Sequence, residues 1–148
     1  MNASDTIAQL NNLITINMDA ADGYREAAKG VADKDLKKVF NAYSTKRNNN
    51  VKNLKNQVKL LGAEPSESGS IKAVLHRTWL SFKSDVSDQN EIVLLEECIR
   101  GEEEAVKTYE EALQATAMAA SIRALVISQF NDVEEALRQM KEWKILFE

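Results

Sequence analysis

Asn17, Arg47, Glu102 and Gln129 each fall midway along a run of apolar residues spaced three and four apart, on the stripe that should face a hydrophobic interior. Asn50 and Asp132 follow Arg47 and Gln129 by three residues, and Tyr24 and Tyr109 follow Asn17 and Glu102 by seven. Buried polar groups must be paired or hydrogen-bonded, so these residue types allow two chemistries. One is a closed polar layer, with Arg47 neutralising Glu102 beside Asn17, Asn50, Gln129 and a Tyr24 or Tyr109 hydroxyl. The other is an oxygen-ligand cation site built from Glu102, Asp132 and either Glu97 or Glu26. Arg47 favours the first, because a guanidinium keeps its proton at neutral pH. At about 4 Å and an effective dielectric of about 20 it repels a unit charge by on the order of 4 kcal/mol, and a divalent ion by twice that.

Four helices are needed to carry these residues inward. The first begins near Ser4 or Asp5, ends at Gly30 and turns Leu10, Ile14, Asn17, Ala21, Tyr24 and Ala28 to one side. After a turn at 31–33, Asp33 caps a second helix that Gly62 and Pro65 stop. Its stripe is Leu36, Phe40, Tyr43, Arg47, Asn50, Leu54 and Leu61. So short a link makes the pair an antiparallel hairpin. The small, turn-forming residues of 62–70 break the chain. A shorter crossover helix over about 70–86 follows.

Ser87 or Asp88 caps the third long helix, with Ile92, Leu95, Ile99, Glu102, Val106, Tyr109 and Leu113 inward. The fourth carries Ile122, Val126, Gln129, Val133, Ala136, Met140, Trp143 and Phe147. Neither Gly nor Pro separates these two helices. Positions 17 and 47 are equidistant from residue 32, inside the first turn, and the same symmetry for 102 and 129 puts the second turn at about 115–120. A shift of 85 residues also lays Leu10, Ile14, Asn17, Tyr24 and Glu26 on Leu95, Ile99, Glu102, Tyr109 and Glu111. A shift of 82 lays Arg47 on Gln129, so the chain reads as a duplicated helical hairpin.

The 148 residues suit a single domain over 1–148. A net charge of −4 and the lack of a basic stripe with interleaved aromatics argue against nucleic-acid binding. No run approaches the roughly 18 apolar residues that span a bilayer, so no membrane partner is expected. Residues 1–5 carry no charged leader, which fits a cytoplasmic protein of bacterial type. Cys98, the one cysteine, reads as a buried inert thiol, and His76, the one histidine, as a surface or packing residue. Glu103 is expected at the surface, paired with Lys107. Trp79 and Trp143 read as core or groove fillers, although Trp79 beside Leu80 would also suit a homodimer surface. A phosphate loop, a nucleophile elbow and a Cys–His couple are all missing, which points away from an enzyme.

A duplicated hairpin with a long crossover, and a polar residue two turns before an inward tyrosine in each half, resembles the ferritin-like superfamily over the whole chain. Gly23-Tyr24-Arg25-Glu26-Ala27-Ala28, Gly69-Ser70-Ile71, Leu75-His76-Arg77-Thr78-Trp79 and Glu97-Cys98-Ile99-Arg100-Gly101-Glu102 look like a bacterial branch of uncharacterised four-helix-bundle proteins. The resemblance implies an all-α antiparallel four-helix bundle with a long crossover containing an extra helix. Metal-binding members use a Glu on each of two helices and a Glu-x-x-His pair on each of the others. At those positions this chain has Asn17, Arg47 with Asn50, Glu102, and Gln129 with Asp132, so only Glu102 keeps its ligand type. The implied protein has a degenerate di-iron site and no cofactor, and acts through its surface as a stress-associated or assembly protein. The competing expectation is an atypical iron- or manganese-binding, iron-oxidising bundle using Glu102, Asp132, Glu97 and Glu26.

Overall fold

The computed structural model describes residues 3–67, 91–115 and 118–148. They form four long helices, α1 (Ala3–Gly30), α2 (Lys34–Leu60), α3 (Glu91–Ala115) and α4 (Ala120–Phe147). The expected crossover helix over about 70–86, the caps Ser87 and Asp88, and His76, Trp79 and Leu80 all lie outside the described residues.

Local signals account for both ends of α2. Asp33 is extended and its carboxylate accepts a hydrogen bond from the Leu36 amide at 2.8 Å, so the expected cap starts α2. Gly62 takes a φ of +82°, a left-handed conformation that a side chain would disfavour, and the chain leaves α2 there. Ser4 and Asp5 sit inside the first turn of α1, which begins at Ala3. The break between α3 and α4 falls where the spacing of Glu102 and Gln129 requires it. Its N-cap, Ala119, has no side chain able to satisfy the free amides, which is why no local signal marks the turn.

Cross-helix hydrogen bonds fix the topology. Asn17 pairs with Tyr109 and Tyr24 with Glu102, so α1 and α3 are antiparallel. Asn50 pairs with Asn17 and Ser44 with Ala21, making α1 and α2 antiparallel, and Tyr43 with Gln139 and Asn50 with Gln129 do the same for α2 and α4. Around the bundle the neighbours run α2, α1, α3, α4 and back to α2, with α2 and α3 on diagonal corners. Since α2 and α3 point the same way, the end of α2 and the start of α3 lie at opposite ends of the bundle, roughly 40 Å apart for a helix of 27 residues. This is the ferritin-like connectivity, in an all-α four-helix bundle.

The core is one cluster running from Leu10, Leu13 and Ile14 through Phe40 and Leu54 to Leu95, Val126, Val133 and Met140. Fully burying each large apolar side chain contributes about 1.5–3 kcal/mol. Two helices differ from their expected faces. The face α3 buries includes Leu94, Leu95, Cys98, Ala105, Tyr109 and Ala112, whereas Ile92, Ile99, Val106 and Leu113 are only partly covered. Small residues allow close approach, so the seam is rotated away from the bulkier stripe read from hydrophobicity. In its middle α1 is buried on more than one side, with Thr15, Ile16 and Asp19 enclosed as well as Asn17. Part of that second side meets the segment after α2, where the Ser66 amide donates to Asn11 Oδ1 at 2.8 Å and the Thr15 and Ser66 hydroxyls lie 3.3 Å apart. No helix among the described residues is long and apolar enough to cross a membrane.

Candidate functional site

Asn17 and Glu102 occupy equivalent positions in the two hairpins, as do Tyr24 and Tyr109, and the bundle joins each polar residue to the other hairpin's tyrosine. Tyr24 donates to Glu102 Oε2 at 2.5 Å, while Asn17 Nδ2 donates to the Tyr109 hydroxyl at 2.7 Å. Antiparallel packing of α1 on α3 makes this reciprocity unavoidable, because the same seven-residue offset is traversed in opposite directions.

The neutral half of the layer is a closed ring. Asn50 Nδ2 donates to Asn17 Oδ1 at 3.2 Å, Asn17 Nδ2 to Tyr109, Tyr109 to Gln129 Oε1 at 2.8 Å, and Gln129 Nε2 to the Asn50 carbonyl at 3.4 Å. Each helix contributes one member, so α2, α1, α3 and α4 are linked in order and back to α2. Asn17 Nδ2 also reaches the Leu13 carbonyl at 2.8 Å. Every donor in the ring points the same way round, an arrangement in which each bond polarises the next.

The charged half spans the diagonal. Arg47 Nη2, from α2, donates to Glu102 Oε1, from α3, and Tyr24 closes on the other carboxylate oxygen. Arg47 is 3% exposed and Glu102 is 0% exposed, so water does not screen the pair. Burial pushes the Glu102 carboxyl above its usual range, against the opposing pull of Arg47 and the Tyr24 hydrogen bond. For Arg47 burial acts downward, but Glu102, Tyr24 and Tyr109 outweigh it and hold the guanidinium charged. Its Nη1 is buried without a hydrogen-bond partner among the described residues. Tyr24 stacks on Tyr43, with ring centroids 5.5 Å apart, and its hydroxyl is raised well above the ordinary tyrosine value, first by burial and then by Glu102.

The layer gathers Asn17, Arg47, Asn50, Glu102 and Gln129, all buried, with Tyr24 and Tyr109 as supports. Asp132 is not part of it: the residue is exposed, because three residues beyond Gln129 the helix has turned past the seam that Val133 occupies. The oxygen-ligand set does not assemble either. Glu97 is drawn to Arg100 at 2.5 Å, Glu26 to Lys29 at 3.3 Å, and Glu102 is held by Arg47. Among the described residues no three His, Cys, Asp or Glu side chains are grouped to hold a metal ion. Cys98 is buried, its thiol pushed up by burial and by Glu102. Glu103 is exposed, and the Glu103–Lys107 ion pair does not form. Two bonds escaped the sequence reading, Tyr43 to Gln139 at 2.6 Å and Ser44 to the Ala21 carbonyl at 2.8 Å. A polar residue at a stripe position, as Tyr43 is, was the signal for the first; Ser44 lies one residue off the stripe and gave none.

A di-metal centre, which the ferritin-like resemblance implies, does not fit this donor set. Two cations need several carboxylates to neutralise them. The layer offers one, already bound to a permanent cation, and otherwise amides and phenols that burial keeps protonated, with Tyr109 raised above the ordinary range.

Residues 5–115 match the family described as Domain of unknown function (DUF2383). In structure the chain is similar to the bacterioferritin-related protein of Bacteroides fragilis, a dodecameric thioferritin, with a TM-score of 0.77 over 97% of this chain and 86% of that one. Sequence identity is 14%, so the likeness is one of fold. No curated protein matches the chain.

Proposed function

We infer that this chain, which belongs to the DUF2383 family, is a ferritin-like bundle that works without a di-metal centre and acts through its surface in assembly or protein interaction. In this reading Asn17, Arg47, Asn50, Glu102 and Gln129 stand where ligands would stand in a metal-binding relative. A hydrogen-bonded ring and one ion pair then set the register of the four helices in place of metal. The observation that carries the reading is the Arg47–Glu102 pair, which puts a permanent positive charge in the layer and occupies its one carboxylate. A polar layer of this kind trades stability for a unique alignment, the best-attested use of buried polar groups. The dodecameric state of the Bacteroides fragilis neighbour makes assembly the surface role to test first.

Metal analysis of native protein purified without chelator, paired with a ferroxidase assay, tests this. Metal far below one ion per chain and no iron oxidation above the buffer rate are expected. Iron or manganese at one or two ions per chain would overturn the reading, and with it the displacement of ligands by Arg47.

A further inference from the structure

Charge is distributed very unevenly between the diagonal helices. The α2 sequence holds eight Lys and Arg against one Asp, whereas α3 holds eight Glu against one Arg and one Lys. On α2, Lys38, Lys52 and Lys59 share a seven-residue repeat, with Thr45 at the intervening position, and all three lysines are exposed. They lie on the side of the helix opposite Arg47, which points to the bundle centre. On α3, Glu96, Glu103 and Glu110 share the same seven-residue repeat and are exposed too. None of these six side chains has an ion-pair partner among the described residues. Arg100, which borders the acidic row, is taken by Glu97, and Lys107 is the other base on α3 itself. Seven residues rise about 10.5 Å on either helix, so Lys52 and Lys59 match the spacing of two adjacent glutamates in the acidic row, and Lys38, two repeats from Lys52, matches the roughly 21 Å between Glu96 and Glu110.

We propose that the Lys38–Lys52–Lys59 row of one copy docks on the Glu96–Glu103–Glu110 row of a second copy of this chain. Matched rows at heptad spacing are how charged flanking positions select partners between helices. The two rows look in directions about a right angle apart on the bundle, since one lies opposite Arg47 and the other a quarter-turn from Glu102. A single two-fold axis therefore cannot satisfy both, and the contact is head-to-tail, producing rings or open chains. The rows themselves are charged and polar, with exposed Leu60 and Val93 only beside their ends, so the contact rests mainly on charge, forms at low ionic strength and dissociates at high. An anionic polymer is the competing occupant of α2, but only a second copy also accounts for the matching acidic row. The proposal deepens the surface-acting reading, and its test reads assembly rather than metal content, so either can fail alone.

Sedimentation velocity on the full chain provides that test. Going from about 0.01 M to about 1 M salt shortens the screening length from about 30 Å to about 3 Å. The weight-average mass is expected to exceed 16.6 kDa and grow with concentration at the low end, and to fall to 16.6 kDa at the high end. Lys52→Glu with Lys59→Glu, and separately Glu103→Lys with Glu110→Lys, should each remain monomeric at low salt with unchanged melting. Mixing the two variants one to one should restore assembly, because each then carries the complement of the other's altered row. Wild type that stays at 16.6 kDa at low salt, variants that assemble like wild type, or a mixture that does not recover would each overturn the proposal. So would capture of a mixed-sequence DNA duplex through Lys52 and Lys59 without self-association.

Discussion

Arg47 and Glu102 meet across the diagonal of the bundle, from two helices that are not neighbours, and each is enclosed by the other two. The contact is possible because a guanidinium on a long stem can reach the bundle axis, where a lysine would bring a bulkier hydration requirement and no fork of donors. The two partners are nevertheless unequal. Glu102 can shed its charge by taking up a proton, and burial already biases it that way, whereas Arg47 cannot lose its own.

That inequality predicts which half of the pair is harder to remove. Glu102→Gln strands a buried cation and should cost about 3–5 kcal/mol. Arg47→Gln should cost less at low pH, because Glu102 then becomes neutral. In that variant burial acts unopposed by Arg47, so the folded pKa of Glu102 lies above the unfolded value of about 4.3. A group raised on folding stabilises below its unfolded pKa, and that stability is lost as pH rises through the folded one. Melting of Arg47→Gln should therefore fall more steeply than wild type as pH rises above the unfolded glutamate value of about 4.3, and a parallel pair of profiles would refute the paired arrangement. Replacing the unit by Arg47→Met, Glu102→Leu and Tyr24→Phe together should recover most of the lost stability.

The ring predicts non-additivity. Tyr109→Phe leaves Asn17 Nδ2 short of an acceptor and Gln129 Oε1 without a donor, and should cost about 2–4 kcal/mol from two buried groups unsatisfied. Gln129→Met removes one of those groups and leaves the Tyr109 proton unpaired. The double variant should then cost less than the sum of the singles by about 0.5–3 kcal/mol, since both remove the same bond. Denaturant melts of the four proteins supply the cycle, and strict additivity would show that the ring is not a unit.

Much of this layer is legible in the residue pattern. Arg47 and Glu102 stood on apolar stripes, and opposite charges with no water must find one another. Even the turn before α4, which no glycine or proline marks, followed from placing Glu102 and Gln129 at one height. What spacing could not show is the direction of bonds: that Tyr109 would be inserted between Asn17 and Gln129, or that the Asn50 carbonyl would close the circle, depends on side-chain reach at sub-ångström scale. A Glu-x-x-His pattern presumes that both residues face inward and so places Asp132 in the layer, whereas Asp132 is exposed and Val133 takes the seam. The rotation of α3 was hidden because small residues such as Cys98, Ala105 and Ala112 count for little in a hydrophobic stripe, although they permit the closest packing.

The two helix caps make a matched test of local stability. Asp33 holds the Leu36 amide, so Asp33→Ala should destabilise by about 0.5–2 kcal/mol. Ala119 has the extended backbone of an N-cap, φ −55° and ψ 147°, but offers no acceptor. Ala119→Asp should stabilise by roughly 1 kcal/mol, with a favourable interaction at the helix N-terminus added to the hydrogen bond. At this chain length that amounts to a rise of about 2–4 °C in melting temperature. If Ala119→Asp lowers it, α4 does not begin at Ala120.

All three tyrosines of the chain have hydroxyls bound inside the bundle, so their ionisation reports the integrity of the site. Burial, with Glu102 next, pushes Tyr43 up to about 12, and burial likewise raises Tyr24 and Tyr109. Each is raised above the unfolded value of about 10, so their contribution to stability is complete below that pH and is lost as pH climbs through the folded values. Tyrosinate absorbance should be nearly absent at about pH 10, where a free tyrosine is half ionised. It should then appear steeply, together with the loss of helical circular dichroism, because Tyr24 and Tyr109 can ionise only when the layer opens. Tyr43→Phe should remove the earliest part of the rise and leave the cooperative step. Gradual ionisation of two or three tyrosines near pH 10, in protein that keeps its helical signal, would show that the hydroxyls of Tyr24 and Tyr109 are not enclosed between α1 and α3.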